Sequence, residues 1–160
     1  MEYKIGLGYD IHRLISGRKL FLGGLEVPYI KGLLGHSDAD VLLHALCDAL
    51  LGALGLGDIG EHFPDTDARY QGISSVKLLE QVNIKVKEMG FEIGNLDIVV
   101  IAQEPPLLPF KKQIKKNIAG YLGILESSVN IKAKTNEGLD STGSKEAIAC
   151  WAVVMLTRSK

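Results

Sequence analysis

The sequence predicts an α/β fold, built as an α+β sandwich in which one mixed sheet packs against helices beside a small N-terminal hairpin. Segments in which apolar residues alternate are interspersed along the chain with segments of helical periodicity. Apolar residues make up 46% of the 160 residues and charged residues 23%, which is enough apolar material for a core. Because no linker, repeat or low-complexity segment interrupts the pattern, we expect one domain over residues 1–160.

The first elements predicted are a strand and a hairpin. Over residues 3–9 apolar residues alternate with lysine and glycine, which indicates a half-buried strand that ends at Asp10. Residues 20–22 and 25–27 are short apolar runs separated by two glycines. That arrangement is typical of a β-hairpin with a two-residue turn.

The next segment predicts a helix over residues 38–54 with Ser37 as its N-cap. The helix is apolar nearly all round, so we expect it to be buried against the sheet or against another subunit. Its polar residues recur at steps of three and four and therefore share one stripe: Ser37, Asp40, His44 and Asp48.

The rest of the chain alternates between helices and strands. The predicted elements are helix 75–89, strand 96–102, helix 110–121, strand 129–134 and helix 145–156. Loops over residues 55–67, 103–109 and 135–143 connect them. The pattern leaves the strand order open.

Charge and targeting signals exclude several classes of partner. A net charge of -1 provides no field that would gather nucleic acid or an anionic membrane. Cys47 and Cys150 both sit in apolar patterns that favour helix, so we expect buried thiols in a reduced compartment. The sequence shows no targeting or membrane-spanning segment, and we expect a cytoplasmic location.

A candidate metal site follows from Asp10, His12 and His44. Residues two apart in an extended chain point to the same side, so Asp10 and His12 project together at the exit of the first strand. Catalytic zinc sites take nitrogen and oxygen ligands from three side chains, and His44 on the buried helix is the candidate third. The alternative is a core histidine satisfied by Asp40 or Asp48 one turn away. The residues alone leave both interpretations open.

Two segments beside these residues suit a phosphorylated, hydroxyl-rich ligand. Residues 35–40 open the buried helix, whose free N–H groups favour an anion, and His36 could donate to a phosphate oxygen. The alternative is an ordinary helix start capped by Ser37. Residues 58–67 hold four acidic groups together with apolar residues and a proline, which indicates an ordered loop rather than a solvated turn.

Lysine-rich segments follow in the C-terminal half. Lys134 and Thr135 suit a phosphate at the end of the predicted strand 129–134, and Glu137 suits a hard cation such as magnesium. Four further lysines form a basic face on the predicted helix 110–121, where a solvated face is favoured over phosphate steering: Lys111, Lys112, Lys115 and Lys116.

Several of these segments together resemble the 2-C-methyl-D-erythritol 2,4-cyclodiphosphate synthase family. The resemblance spans nearly the whole chain and is carried by residues 8–12, 32–41, 44–45, 48–53, 57–60, 63–67, 101–103 and 132–137. It implies a homotrimer with its sheets facing the central axis and its active sites between adjacent subunits.

The reaction implied is a step of the non-mevalonate route to isoprenoids, catalysed by a phosphorus–oxygen lyase. The 2-phosphate of 4-diphosphocytidyl-2-C-methyl-D-erythritol 2-phosphate attacks the β-phosphorus, releases CMP and closes the cyclic diphosphate. The resemblance places zinc or another divalent cation on Asp10, His12 and His44. It places a second divalent cation, magnesium or manganese, on Glu137 and assigns catalytic roles to His36 and Thr135.

The resemblance also implies a set of substrate-binding positions, which fall in five segments. These are Asp10, His12, His36, Ser37, Asp58, Ile59, Gly60, Phe63, Pro64, Asp65, Thr66, Asp67, Ala102, Gln103, Glu104, Pro105, Pro106, Leu107, Leu108, Ala133, Lys134, Thr135, Asn136, Glu137, Ser141 and Ser144. Residues 102–108 correspond to the family's cytidine region.

This sequence departs from the family pattern at four positions. Pro106 stands where many members carry lysine, so cytidine contacts there must rely on backbone groups. Ser141 and Ser144 replace Phe and Arg, and the Arg in many members lines an axial cavity for an isoprenoid diphosphate. Lys134 replaces a common Thr and restores positive charge beside the diphosphate.

Two alternative functions use the same residues. A metal-dependent phosphohydrolase would activate water instead of aligning the substrate's own phosphate. A non-catalytic binding module would use the metal structurally, but structural zinc sites normally have four protein ligands and the sequence offers three.

Overall fold

A five-stranded mixed sheet forms the centre of the fold in the computed structural model, which describes residues 1–159. Its strands, in spatial order, are β4 (Lys31–Leu33), β1 (Glu2–Ser16), β7 (Ala147–Arg158), β5 (Glu92–Ile101) and β6 (Val129–Lys134). Only β5 and β6 pair in parallel. The predicted hairpin is present as β2 (Leu20–Leu22) and β3 (Leu25–Val27). The predicted mixed sheet with a small hairpin is therefore confirmed.

Helices cover one face of this sheet. They are α1 (Val41–Leu54), α2 (Ile59–His62), α3 (Ser75–Glu88), α4 (Lys111–Leu122) and α5 (Asp140–Gly143). The predicted helices 75–89 and 110–121 are confirmed to within a residue or two as α3 and α4, and α5 lies in the predicted loop 135–143. Within residues 1–159, no helix combines the length and the apolar character needed to cross a bilayer.

The start of α1 differs from the prediction. Asp40, not Ser37, is the N-cap, and its Oδ1 accepts a hydrogen bond from Leu43 N–H at 3.1 Å. The same carboxylate accepts from the backbone N–H groups of Gly23 at 3.0 Å and Gly24 at 2.7 Å in the hairpin turn. Asp40 is fully buried, and these three donors satisfy it there. Sequence spacing alone did not choose between two good capping residues.

Helix α1 lies directly against β1 because two glycines allow a close approach. A Cβ atom at Gly6 would collide with the backbone oxygen of Ala49, and one at Gly8 would collide with that of Ala45. All apolar side chains of α1 are buried, as predicted for a helix that is apolar all round. This contact places the residues of β1 beside the polar stripe of α1.

Two predictions were wrong: the end of the first strand and the type of the last element. Strand β1 continues to Ser16, so Asp10 and His12 lie inside the strand rather than at its exit. Residues 147–158 form β7, the strand between β1 and β5, and not a helix over residues 145–156; Cys150 is accordingly a strand residue. Both cysteines are nevertheless buried and free, as expected.

The other face of the sheet is apolar and open in the single chain. Seven large apolar residues of β1 and β7 that point away from α1 are between 40% and 73% exposed: Tyr3, Ile5, Leu7, Tyr9, Ile11, Trp151 and Val153. The rings of Tyr9 and Trp151 pack together, with centroids 4.4 Å apart. We call this set the open sheet face. The predicted strand 3–9 is thus present, but its large apolar residues lie on the open side and its glycines on the core side.

Candidate metal centre and adjoining cavity

Asp10, His12 and His44 converge where β1 passes under α1. The carboxylate Oδ2 of Asp10 lies 2.9 Å from Nε2 of His12 and 3.0 Å from Nδ1 of His44. The two imidazole nitrogens are 3.1 Å apart. Asp10 and His12 share a face because they are two residues apart in a strand, and α1 brings His44 over them. The predicted convergence of the three side chains is confirmed.

Charge complementarity shifts the pKa values in this cluster. Burial raises the pKa of Asp10, but hydrogen bonds and charge from His12 and His44 outweigh it and hold that pKa well below its ordinary value. Burial lowers the pKa of His44, but the hydrogen bond and charge of Asp10, with Asp40 and Asp38, raise it overall. The cluster therefore stabilises positive charge next to Asp10.

The three ligand atoms fit a divalent cation. Asp10, His12 and His44 each offer one ligand atom, and these atoms all lie within 4.8 Å of one another. Tetrahedral zinc with bonds of roughly 2.0–2.1 Å separates its ligands by about 3.3 Å, slightly more than the distances here. Two nitrogens and one oxygen are a donor set that zinc takes, and all three side chains are only partly buried.

A second layer of polar residues surrounds His44. Its Nε2 lies 2.9 Å from Ser75 Oγ and 3.1 Å from Ser37 Oγ. The Ser75 hydroxyl donates to Asp38 Oδ1, and the Ser75 backbone N–H donates to Asp38 Oδ2 at 3.0 Å. Asp40 and Asp48, the alternative partners considered for His44, instead accept backbone N–H groups. The interpretation of His44 as a core histidine held by them is therefore wrong.

A cavity of about 390 Å³ opens beside the cluster. Of the predicted site residues, the structure brings ten to its wall: Asp10, His12, His36, Ser37, His44, Ile59, Gly60, Phe63, Pro64 and Asp65. Gly35, from the predicted segment 35–40, also lines it, and further lining residues that the sequence did not single out are Tyr70, Ile73 and Leu78. The apolar ones pack against the core and gave no chemical signal in the sequence.

Side chains from other elements hold the cavity wall in place. Arg18 donates to the backbone oxygens of Gly35 at 2.9 Å and Ser37 at 2.8 Å, which fixes the segment that carries exposed His36. Asp48 of α1 accepts from the Ile59 N–H at 2.7 Å and so fixes the start of α2. Burial, with the nearby charge of Asp58, raises the pKa of Asp48. Neither Arg18 nor Asp48 was predicted to position the site.

The acidic segment 58–67 is ordered, as expected, but only part of it lines the cavity. Asp58 caps α2 by accepting from Glu61 N–H at 3.0 Å. Asp67 pairs with Arg69 at 2.6 Å on the surface. The cavity lining given above includes neither of these carboxylates, and Thr66 is exposed next to them.

A second group of predicted residues lies at the same end of the sheet but does not line this cavity. Asp10 and Val100 both pair with Cys150, so the end of β5 stands about 10 Å from Asp10 across two strand spacings, and β6 lies one strand further out. The group comprises Ala102, Gln103, Glu104, Pro105, Pro106, Leu107, Leu108, Ala133, Lys134, Thr135, Asn136, Glu137, Ser141 and Ser144. None of them is among the residues that line the cavity within residues 1–159.

Hydrogen bonds organise this second group. Glu104 pairs with Lys145 at 2.5 Å and accepts from the Tyr29 hydroxyl at 3.3 Å. The exposed Glu137 accepts from the Thr135 hydroxyl at 3.1 Å. Ser144 donates to the Ser141 backbone oxygen at 3.3 Å, and Lys134 is exposed. The lysines of the predicted basic face lie on α4 at exposed or half-buried positions.

The chain matches a known family over most of its length. The model of the YgbB family matches residues 3–157. A curated relative from Lachnospira eligens, named 2-C-methyl-D-erythritol 2,4-cyclodiphosphate synthase, is 57% identical over 153 residues. The match covers 96% of this chain and 84% of that relative.

Solved structures give the same likeness. A bifunctional IspDF from Campylobacter jejuni superposes with a TM-score of 0.95 at 45% identity, and the match covers 99% of this chain. This chain spans only 43% of that bifunctional protein. A CDP complex of IspF from Plasmodium falciparum superposes with a TM-score of 0.87 at 38% identity, covering 99% of this chain and 97% of the other.

Proposed function

The chain belongs to the YgbB family, and from this premise we propose that it is an enzyme that makes 2-C-methyl-D-erythritol 2,4-cyclodiphosphate in isoprenoid biosynthesis. We propose that the substrate is 4-diphosphocytidyl-2-C-methyl-D-erythritol 2-phosphate and that CMP is the other product. In chemical class the enzyme is then a phosphorus–oxygen lyase. The observation that carries the proposal is the cluster of Asp10, His12 and His44 at the wall of a cavity, in a chain of this family.

The cavity residues suit a phosphorylated polyol. We propose that Asp10, His12 and His44 hold zinc or another divalent cation, which when bound supplies positive charge for phosphate oxygens. Exposed His36 and buried Ser37 lie at the wall and can donate hydrogen bonds to phosphate. Ile59 and Gly60 lie at the same wall, where we place the substrate's hydroxyl groups.

In this proposal no protein nucleophile takes part in the reaction. An oxygen of the 2-phosphate attacks the β-phosphorus, and the bond from that phosphorus to the CMP oxygen breaks as the ring closes. The protein contributes alignment of the attacking and leaving oxygens and neutralisation of charge, which is sufficient for phosphoryl transfer. Alignment alone contributes up to roughly 7–11 kcal/mol in favourable intramolecular cases.

We propose that the second group of residues binds the cytidine diphosphate part of the substrate. Residues 102–108 are held by the Glu104 contacts, and a CDP complex is known for the similar Plasmodium falciparum protein. Glu137 and Thr135 are hydrogen-bonded to each other and exposed, so Glu137 is available for magnesium or manganese and Thr135 for a phosphate. Exposed Lys134 adds positive charge to this end of the sheet.

We propose further that three copies of the chain assemble with the open sheet face at the central axis. A contiguous apolar patch of this kind is rarely left exposed on a monomer. Because the two groups of site residues do not share one cavity in a single chain, a neighbouring copy is expected to complete each site. We also propose one catalytic domain over residues 1–160, and a cytoplasmic location, which the two buried free thiols favour.

The test is product analysis in isotopically labelled water. The proposed synthase gives CMP and a cyclic diphosphate in equal amounts, and phosphorus NMR shows no oxygen from water in either product. A phosphohydrolase, the main alternative, would give CMP and a linear product with the label in one of them. A non-catalytic module would return the substrate unchanged with zinc and magnesium present, and either outcome would overturn the proposal.

A further inference from the structure

We propose that Ser75 and Asp38 are positioning residues that keep a proton on Nε2 of His44 and so direct its Nδ1 to the divalent cation. The inference rests on the proposed metal role of His44. Neither residue lines the cavity, and Ser75 is fully buried. Their action on the cation would therefore pass entirely through His44.

The assignment follows from counting hydrogens at Ser75. A serine hydroxyl has one hydrogen to donate and two lone pairs that accept. Its hydrogen goes to Asp38, because the Asp38 carboxylate only accepts hydrogen bonds and lies in close contact with Ser75 Oγ. Toward His44 the Ser75 oxygen can then present only a lone pair. His44 Nε2, at 2.9 Å, must be the donor of that bond.

The backbone makes this arrangement rigid. Asp38 also accepts from the Ser75 backbone N–H at 3.0 Å and from the Asp40 N–H at 3.3 Å. Its carboxylate therefore cannot turn away from Ser75 without breaking other bonds. Ser75 is the first residue of α3, so the start of that helix is tied to the segment that precedes α1.

Ser37 agrees with the same count. Its Oγ accepts from the Ala39 backbone N–H at 3.0 Å and lies 3.1 Å from His44 Nε2. If the Ser37 oxygen accepts from both the Ala39 N–H and His44 Nε2, its two lone pairs are in use. Its hydroxyl hydrogen then remains free to be donated. Ser37 lines the cavity, so this hydrogen is available to a phosphate oxygen.

The other ring nitrogen is thereby left for the cation. Nδ1 of His44 faces Asp10 Oδ2 at 3.0 Å and His12 Nε2 at 3.1 Å, which is the centre of the ligand group. A metal-bound histidine normally donates its other N–H to a neighbouring acceptor, which fixes the ring and makes it a better ligand. Loss of such a partner typically weakens metal binding by about 10–100-fold.

The experiment compares Ser75→Ala with Ser74→Ala in the full chain. Ser74 is the N-cap of α3 and contacts Val76 N–H, so its loss frays the same helix start without touching His44. We expect Ser75→Ala to weaken zinc binding at least about tenfold in competition with a chelating dye. Ser74→Ala should leave zinc affinity unchanged. Equal zinc affinities in the two variants would overturn the proposal.

Heteronuclear NMR of the histidine rings gives a readout that a purely structural role would not change. In the zinc-loaded wild type, His44 should show a slowly exchanging Nε2 proton and zinc bound at Nδ1. Ser75→Ala should speed exchange of that proton, and Ser74→Ala should not. Zinc found at Nε2 of His44 would also overturn the proposal.

Asp38→Asn keeps the inference testable if Ser75→Ala does not fold. The neutral amide is a weaker acceptor for the Ser75 hydroxyl, and we expect zinc affinity to fall roughly tenfold. Unchanged affinity in Asp38→Asn contradicts the proposal. The proposed function fails separately: wild-type protein that binds zinc as described but forms no cyclic product would refute the reaction and leave this positioning role intact.

Discussion

At the scale of single residues, one carboxylate oxygen joins the residues of the candidate metal centre. Asp10 Oδ2 contacts both imidazoles, at 2.9 and 3.0 Å, and no other acidic side chain approaches His12 or His44 as closely among the ion pairs of residues 1–159. Asp10 Oδ2 is therefore the atom that joins the two histidines in this structure. In the proposed function, the same three residues are the ligands of the cation.

Removing His44 should remove the metal without unfolding the chain. His44→Ala leaves only Asp10 and His12, too few ligands to retain zinc, and we expect metal analysis to fall from about one zinc per chain to nearly none. The free energy of unfolding of this variant should be about 1–3 kcal/mol lower than that of the wild type, as is usual when a buried polar network is cut. His62→Ala is the control, because His62 bonds only the Leu56 backbone oxygen and should keep full zinc occupancy. Full zinc occupancy in His44→Ala would refute the ligand assignment.

The metal-free protein should become less stable as pH rises through the pKa of His44. That pKa is raised in the folded state above its ordinary value of 6.5, so the stabilisation is complete below 6.5 and is lost at higher pH. The contribution of Asp10 to stability depends on pH in the opposite direction. Its pKa is lowered from 3.8 in the folded state, so its stabilisation is present above pH 3.8 and is lost on strong acidification. Thermal unfolding in the presence of a chelator, between about pH 6 and 9, should show stability falling with rising pH in the wild type but not in His44→Ala. The same decline in both proteins would contradict this assignment.

The sequence contained part of this site. Asp10 and His12 could be predicted to project together because their spacing of two fixes a common side in any strand, even though the strand end was misplaced. His44 stood out as a polar residue in a buried helix. Ser75 and Asp38 could not be found, because they are 37 residues apart and only the packing of α3 beside α1 joins them.

At the scale of elements, the contact between β1 and α1 depends on the absence of two side chains. Gly6 and Gly8 are buried, and their hydrogens face the backbone oxygens of Ala49 and Ala45. A methyl group at either position would clash with these oxygens. No rotamer change could remove the clash, because the opposing atoms belong to the backbone of a helix. The distance between Asp10 and His44 is therefore set by glycine.

Gly8→Ala should separate the helix from the strand. We expect a loss of about 3 kcal/mol, at the upper end for overpacking, and weaker zinc binding because His44 moves with α1. Gly120→Ala is the matched control, since a Cβ at that exposed position of α4 would meet nothing within 4 Å. It should instead stabilise by about 0.5–1 kcal/mol through helix propensity. Denaturant unfolding measures both, and equal stability of Gly8→Ala and wild type would contradict the packing described.

The strand β7 shows why one element was mispredicted. Residues 147–158 are apolar on both faces, because one face packs under α1 and the other belongs to the open sheet face. A strand that is apolar on both faces loses the alternation that identifies strands, and periodicity alone cannot separate it from a buried helix. Ala149, Cys150 and Ala152 strengthened the helical pattern, whereas the β-branched residues nearby would have favoured a strand.

At the scale of the whole molecule, the open sheet face has the composition of an interface. One row across the sheet runs from Leu7 through Val153 to Asp97, which pairs with Lys132 at 2.5 Å. Apolar residues thus occupy β1 and β7, and a charged pair lies toward the edge strand. An apolar centre with a polar rim is typical of contacts between subunits.

Leu7→Asp should dissociate the proposed trimer. Leu7 is 61% exposed in the single chain, so the substitution should leave the fold intact while placing a charge at the centre of the contact. We expect light scattering after gel filtration to report a monomer, with loss of cyclic product because the sites are then incomplete. Ile84→Asp, on α3 at 54% exposure, is the control and should stay trimeric. A wild-type monomer, or a trimeric Leu7→Asp, would refute the assembly.

The buried carboxylate of Asp40 has a consequence for anyone who wishes to move this metal centre into another protein. Its oxygens are shared between the first turn of the helix that carries His44 and the tip of a hairpin that contributes no ligand. A transplant of β1 and α1 alone would strand that charge in an apolar interior, a penalty of several kcal/mol. A transplant must therefore include the hairpin together with β1 and α1, and it must also supply the contact that Ser75 makes with His44.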